Sequence, residues 1–206
     1  ADVTVDHLII ACAALETGID WFATLTGVRP ASGGSHPGRG TRNALVGAGP
    51  GVYVELLAPD PGQELAGTFG ASLVPLPAPT LFGYMLRTAS IASAREVYAR
   101  HGIRAEAIDA TRTLPDGRTL AWELLIPAST VWGLVLPNFI DWQGSPHPSD
   151  AAPAGCRLGG LRAEHQDALA LAPLWRSLGV PFELAVGPSP RLAATLATPF
   201  GERVIG

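Results

Sequence analysis

The chain has 206 residues, of which 47% are hydrophobic and 16% charged, so it can bury a full core and is not a disordered protein. Its formal net charge of −4 argues against a nucleic-acid partner, because such a partner would select a basic surface. All fourteen basic residues are arginine, which excludes Schiff-base or general-base chemistry by a lysine.

Cellular location is predicted from the cysteines and the apolar runs. Cys12 and Cys156 are far apart and form no disulfide framework. The sequence enters a strand pattern without a signal-peptide pattern, and its longest apolar run, LIIACAAL, is too short to cross a bilayer. We therefore expect a cytoplasmic protein with no membrane partner. The use of arginine for lysine, with many Ala, Gly and Pro residues, indicates a bacterial source.

The first elements follow the order β-α-β-β-β. Apolar residues at three- to four-residue spacing predict a helix over 14–26, which Gly27 ends. The strands predicted over 41–47 and 51–57 form a hairpin around Ala48-Gly49-Pro50. The predicted strands cover 3–10, 28–34 (running into a glycine-rich stretch), 41–47 and 51–57.

The same order recurs twice along the chain. A Pro- and Gly-rich connection over 59–80 separates a first module, 1–58, from a second, 81–142, and a linker over 143–155 precedes a partial third module, 156–206. Predicted helices cover 91–101 and 167–178. Predicted strands cover 81–88, 103–109, 118–126, 130–136, 156–164, 181–186, 191–198 and 202–205.

A short signature supports this repeat. LTGV at 25–28, RHGI at 100–103 and SLGV at 177–180 each place glycine after a helix and before a β-branched residue, at spacings of 75 and 77 residues. A regular period of this kind indicates one structural unit used three times. The alternative is an ordinary α+β protein whose helices end in glycine.

Two ligand-type residues stand in strands that otherwise read as core. His7 shares a strand face with Val5 and Ile9, and Glu55 shares one with Tyr53 and Leu57. A glutamate buried in this way needs a partner. Three interpretations stay open for the pair: metal ligands, a metal-free polar site, or a structural ion pair.

Four segments carry a resemblance to a known family: VDHLIIACAALETGIDWFATLTGV, GGSHPGRGTRNALV, YVELLAPDP, and LPNFIDW followed by HP. The chain resembles the vicinal oxygen chelate superfamily and, within it, the glyoxalase-like group. The resemblance implies an α+β fold in which paired βαβββ modules curl into an open barrel, with a partial third module. It also implies a divalent metal (Zn, Fe, Mn or Ni) held by His7 and Glu55, and no organic cofactor is indicated.

The second module departs from the family pattern. Alignment of the helix-end glycines places Phe82 where His7 stands, and Gly133 or Leu134 where Glu55 stands. The third module offers Gly159 and Ile205 there, and none of these residues binds a metal. A third ligand must come from elsewhere, and His36 in the glycine-rich stretch is the best candidate.

The remaining candidates are for catalysis and for contact with the substrate. Glu55 and His36 are the candidate catalytic residues. The candidates for substrate contact are Asn43, Tyr53, Tyr84, Arg42 and His147, of which Asn43 and His147 rest on the family match.

Two functions remain open for this small-molecule site. One is a metal-dependent lyase or isomerase, with ring-cleaving dioxygenase less favoured because the second histidine is missing. The other is a metal-free binding or sequestration protein. The third module is expected to cover a barrel edge or to pair across a homodimer.

Overall fold

The computed structural model describes residues 3–128 and 131–206 and shows an α+β chain built from two sheets. The strands are β1 (Thr4–Ala11), β2 (Ala31–His36), β3 (Thr41–Gly47), β4 (Tyr53–Pro59), β5 (Thr80–Arg87), β6 (Ala105–Thr113), β7 (Thr119–Pro127), β8 (Asn138–Asp141), β9 (Arg157–His165), β10 (Glu183–Val186), β11 (Arg191–Thr198) and β12 (Gly201–Ile205). The helices are α1 (Leu15–Thr26), α2 (Phe69–Leu73), α3 (Ile91–Arg100) and α4 (Ala168–Ser177).

The first two modules have the same sheet order and together form a barrel. Within the first, β1 pairs in parallel with β4, followed by β3 and β2; within the second, β5 pairs in parallel with β8, followed by β7 and β6. The antiparallel pairs β1–β5 and β2–β6 join the modules, the latter through Ser35 and Thr113. The barrel of paired βαβββ modules is therefore confirmed, but it is closed where we expected an open one.

Alternation along the barrel strands separates two cores. Leu8, Ile10 and Leu56 face outward and pack with the helices in one large apolar cluster. Ile9 and Leu57 face the lumen and belong to a second cluster inside the barrel. Because the side chains of a strand alternate between faces, any polar residue on the inward positions is held inside an apolar enclosure.

Glycine ends the long helix of each module, as the repeated signature predicts. Gly27, Gly102 and Gly179 adopt φ values of 81°, 72° and 67°, in the left-handed region that L-residues avoid. The amide of Gly27 donates to the carbonyl of Ala23 over 2.9 Å and closes the last turn of α1. No helix in the described part of the chain combines the length and apolar character needed to cross a membrane.

The third module repeats the element order but not the sheet order. Its strands lie in the order β10-β9-β11-β12. The first strand of this module, β9, therefore pairs with the second and third strands, whereas β1 pairs with the fourth strand of its own module. It packs against the outer side of the barrel, where Phe182 meets the ring of Tyr84 edge-on with centroids 5.1 Å apart. Leu158 also donates a backbone hydrogen bond to Ala48. Since the barrel is closed, the module covers an outer face and not an edge.

Two predicted strands lie elsewhere than expected. The strand predicted over 130–136 is wrong: Ser129 and Thr130 lie outside the described residues, 133–135 form a 3-10 turn, and the strand is β8, after Pro137. Gly133 adopts a φ of 55°, which a strand cannot accommodate. The strand predicted over 28–34 begins later, at Ala31, and continues through the glycines to His36, so this histidine lies on a strand and not in a loop.

Candidate functional site

A cavity of about 220 Å³ lies inside the barrel and has two unlike halves. The first module contributes most of its polar lining, namely His7, His36, Thr41, Asn43, Tyr53 and Glu55. The second module contributes a mainly apolar wall that includes Met85, Trp122, Leu124, Ile126 and Ile140. A cavity with an apolar wall and a few convergent polar groups is typical of a small-molecule site.

His7 enters the cavity in a defined orientation. The pairing of β1 with β5 shifts register between Val5 and His7, and Asp6 is the extra residue of this bulge. The carboxylate of Asp6 accepts a hydrogen bond from His7 Nδ1 over 2.7 Å, so Nδ1 carries a proton and Nε2 faces the cavity. This Nε2 lies 3.6 Å from Glu55 Oε2. The ring of Tyr53 stacks on the imidazole at 4.4 Å and holds its plane.

Asp6 is a fully buried carboxylate that joins several side chains behind the cavity. Its Oδ2 accepts hydrogen bonds from Arg87 Nε over 2.8 Å and from Trp142 Nε1 over 3.0 Å, and it lies 3.1 Å from His147 Nε2. Burial alone would raise the pKa of Asp6, but the hydrogen bonds and charges of His147 and His7 outweigh it and hold the pKa well below its usual range. Asp6 is therefore ionised and can only accept.

His7, His36, Asn43 and Glu55 form a polar cluster on one side of the cavity, and the last three of these residues contact one another. Asn43 Nδ2 donates to Glu55 Oε1 over 2.6 Å and approaches His36 Nε2 at 3.4 Å, and His36 Nε2 lies 3.8 Å from Glu55 Oε1. Burial lowers the pKa of His36 more than the nearby Glu55 raises it, so the ring is neutral at pH 7. Its Nδ1 lies 3.0 Å from Thr41 Oγ1, and with the proton there Nε2 faces the cavity as an acceptor.

Two imidazoles and one carboxylate are the donor types that divalent Zn, Fe, Mn or Ni binds in proteins. The described residues nevertheless contain no group of three His, Cys, Asp or Glu side chains arranged for a metal ion. One physical reason is that the Asn43 amide donates its N–H groups where a cation shared by His36 and Glu55 would lie. Asn43 Oδ1 is buried without a partner, so turning the amide over would add an oxygen ligand at this point. The residues fit a divalent ion in type, and the fit in geometry requires Asn43 to turn.

The structure brings five of the predicted site residues to the cavity and leaves three outside it. His7, His36, Asn43, Tyr53 and Glu55 line the cavity.

Tyr84 is a correction, because it faces outward into the core, where its hydroxyl donates to the carbonyl of Val135 over 2.7 Å. Arg42 is another: it faces outward and pairs with Glu16 of α1 at 2.9 Å. His147 lies behind Asp6 and Tyr53 and does not close over the cavity.

The symmetric half of the site differs from the predicted alignment. In the first module Ile9 pairs with Glu55, and in the second Met85 pairs with Asn138 at the same place. Asn138 therefore stands where Glu55 does, in place of the predicted Gly133 or Leu134. The position of His7, two residues before Ile9, corresponds to Gly83 and not to Phe82. The conclusion that the second module lacks a matching imidazole and carboxylate is unchanged.

Arg112 is a cavity residue that the sequence analysis missed. It lies on β6 and faces inward together with Ala110. The alternation on β6 could have located it, but alanines on both faces weaken the pattern. Arg39 also lines the cavity and was not among the predicted site residues.

Solved structures share this fold. A hypothetical protein from Staphylococcus aureus superposes with a TM-score of 0.68 at 16% identity, covering 93% of this chain and 88% of that chain. A methylmalonyl-CoA epimerase from Streptomyces coelicolor, in complex with 2-nitronate-propionyl-CoA, has a TM-score of 0.52 at 16% identity and covers 72% of this chain and 100% of that chain. No curated protein matches the sequence. Residues 5–179 match the family described as a glyoxalase-like domain, and the chain belongs to this family.

Proposed function

We propose that the barrel cavity is the active site of a lyase or isomerase that moves a proton on a small oxygenated molecule. His7, His36 and Glu55 hold a divalent metal in this proposal, and Glu55 exchanges the proton through the carboxylate oxygen that the metal would leave free. The substrate is small, because the cavity measures about 220 Å³.

The convergence of His7, His36 and Glu55 on one side of the cavity supports the proposal. Asp6 accepts a hydrogen bond from His7 Nδ1, and His7 Nε2 faces Glu55 Oε2 across 3.6 Å. His36 Nε2 faces the other oxygen of the same carboxylate at 3.8 Å. A carboxylate buried among apolar side chains needs a cation or hydrogen-bond donors around it, and Asn43 supplies a donor to Oε1 alone. The arrangement is therefore that of a site prepared for such a group.

The side chains of this cluster have separable tasks. A bound divalent metal supplies Lewis acidity, which polarises a carbonyl or enolate oxygen. Asp6 keeps His7 Nε2 available as a donor atom, in the way that carboxylates orient metal-binding histidines. The neutral His36 ring offers the lone pair of Nε2 to that metal, and the second oxygen of Glu55 is left as the proton acceptor. The apolar wall of the second module excludes water from the reacting atoms.

A metal-free binding protein is the second candidate function. The observation that favours it is the 2.6 Å hydrogen bond from Asn43 to Glu55, which satisfies one carboxylate oxygen without any metal. Glu55 Oε2 would then accept a hydrogen bond from a ligand hydroxyl group bound beside His7 Nε2, while the apolar wall takes the remainder of the ligand. The chain would sequester a compound and perform no reaction.

Metal analysis of the purified protein separates the two functions. Cells are grown with Zn, Fe, Mn and Ni, and the wild type is compared with His7→Ala and Glu55→Gln. His101→Ala is the matched control, because His101 is exposed at the end of α3. The proposal expects about one equivalent of metal in the wild type and the control, and less than about a tenth in the two site variants. Less than about a tenth in the wild type contradicts it and supports the binding protein.

A further inference from the structure

Arg112 is a buried cation for which the described residues supply no ion-pair partner. Its side chain is 3% exposed, and Nε makes no hydrogen bond. Within residues 3–128 and 131–206 no carboxylate lies within ion-pair distance of its guanidinium. Asp6, another buried charge near this site, differs from Arg112 in having four side-chain partners. A buried charge without compensation is costly, so Arg112 calls for an explanation.

Local backbone geometry makes room for this side chain. Gly34 on the neighbouring strand β2 has a φ of 137°, and a Cβ there would collide with the carbonyl oxygen of Thr113 and meet Arg112 Cγ at 3.1 Å. Only glycine allows the two strands to approach this closely beside the arginine stem. The stem is thus seated by the fold, and the charged end is at the cavity that Arg112 lines.

The charge of Arg112 affects the pKa values of His36 and Tyr53 in the cavity. Burial is the largest cause of the lowered pKa of His36, and the Arg112 guanidinium lowers it further. The same guanidinium opposes the rise in the pKa of Tyr53 that burial causes. A buried arginine that lines the cavity and has no ion-pair partner among the described residues provides what an anion needs: a cation with a planar set of donors.

We propose that Arg112 binds the carboxylate of an organic acid whose apolar body lies along Trp122 and Leu124. The inference deepens the proposed function and rests on it for the identity of the cavity as the reaction site. It names the substrate class as a small carboxylic acid with its oxygenated, reacting end at His7 and Glu55.

Charge and lining favour a carboxylate over a phosphate. Glu55 faces the same cavity, and its charge repels a dianion more than a monoanion. Much of the cavity wall is apolar, which suits a compact acid with a hydrocarbon or aromatic body. Arg39 also lines the cavity, and its positive charge adds to that of Arg112 in favouring an anionic ligand.

Calorimetric titration at pH 7 tests the assignment, with benzoate, phenylacetate and hexanoate as the probes. Benzamide, which has the shape of benzoate without its charge, and inorganic phosphate are titrated in parallel. The wild type is expected to bind at least one of the acids, and benzoate at least about tenfold more tightly than benzamide, because charge-assisted hydrogen bonds are the strong ones. Arg112→Met is expected to lose about tenfold or more in acid affinity, and Arg112→Lys less, since it keeps the charge without the fork.

Arg104→Met is the matched control, because Arg104 is exposed near the same strand and outside the cavity. It should bind the acids as the wild type does. Arg112→Met should also melt no lower than the wild type without ligand, since it removes an uncompensated charge. If Arg112→Met does not fold, the acid affinity of Arg112→Lys and the preference of the wild type for benzoate over benzamide test the assignment instead.

Three results would overturn the assignment: no acid binds, benzamide binds as well as benzoate, or Arg112→Met keeps the wild-type affinity. Tighter binding of phosphate than of any acid would also overturn it in favour of a phosphorylated ligand. The titration needs neither metal nor turnover. A protein without metal that still binds acids through Arg112 refutes the proposed reaction and leaves this inference standing.

Discussion

The Asp6 network offers a sharp test of how the site is built. In Asp6→Asn the side chain keeps its size and loses its charge. Its amide nitrogen cannot accept the hydrogen bonds that His7, Arg87 and Trp142 now donate, so part of the network is lost. Breaking a buried ionic group costs about 3–5 kcal/mol. The Arg87 side chain is 36% exposed, which screens its share and favours the lower end, about 3 kcal/mol.

That loss has a measurable size and a defined pH dependence. For a chain of this length, about 3 kcal/mol corresponds to a melting temperature lower by roughly 6–12 °C at pH 7. The pKa of Asp6 is depressed in the folded state, so its contribution is present above the unfolded pKa of about 3.9 and is lost as the pH falls towards the folded value. The gap between wild type and Asp6→Asn should therefore narrow below about pH 4.

Differential scanning calorimetry from pH 3 to pH 8 measures both quantities. Asp109→Asn is the control, because Asp109 is exposed on β6, and it should leave the melting temperature unchanged. A change below about 0.5 kcal/mol in Asp6→Asn at pH 7 would refute the reasoning, as that is the range of ordinary surface substitutions. A gap that stays constant in acid would refute the assigned role of the Asp6 charge.

Three further substitutions and treatments have clear expectations. Gly34→Ala should lower the unfolding free energy by at least about 2 kcal/mol in a urea titration, because a Cβ at that φ meets the carbonyl of Thr113; a wild-type midpoint would contradict the close approach. Tyr84→Phe should cost about 1–2 kcal/mol, since the carbonyl of Val135 loses its donor, and should leave benzoate affinity unchanged; weaker binding would place Tyr84 back at the cavity. Burial raises the pKa of Cys12 to about 11, so this thiol should react with a disulfide reagent at pH 8 only after denaturation; rapid labelling of the native protein would contradict its burial.

Local patterns were sufficient for the polar half of the cavity. The period of two along a strand placed His7 with Ile9 and Glu55 with Tyr53 on inward faces, and the structure has these side chains in the cavity. The glycines after the three helices depend only on local backbone geometry, so their signature was readable in the sequence. The family resemblance added the barrel, which alternation alone could not predict.

Features that depend on register or on distant pairing were not readable in this way. The bulge that turns Asp6 and His7 towards each other arises where β1 meets β5, about eighty residues away. The position of β8 depends on how the chain turns through 133–135, and an error there moved the symmetric position of Glu55 from Asn138 to Gly133. Tyr84 was expected at the cavity because it is an aromatic strand residue. Its side chain instead points outward into the core between the barrel and the helices.

Anomalous diffraction from crystals grown with saturating Zn²⁺ or Mn²⁺ tests the central claim most directly. The account predicts a peak about 2.0–2.2 Å from His7 Nε2 and from an oxygen of Glu55, with the Asn43 amide turned so that its oxygen faces the ion. A cavity without a peak under these conditions, with the Asn43 hydrogen bond to Glu55 retained, would contradict the metal-dependent reaction. A peak held only by residues outside the barrel would contradict it equally.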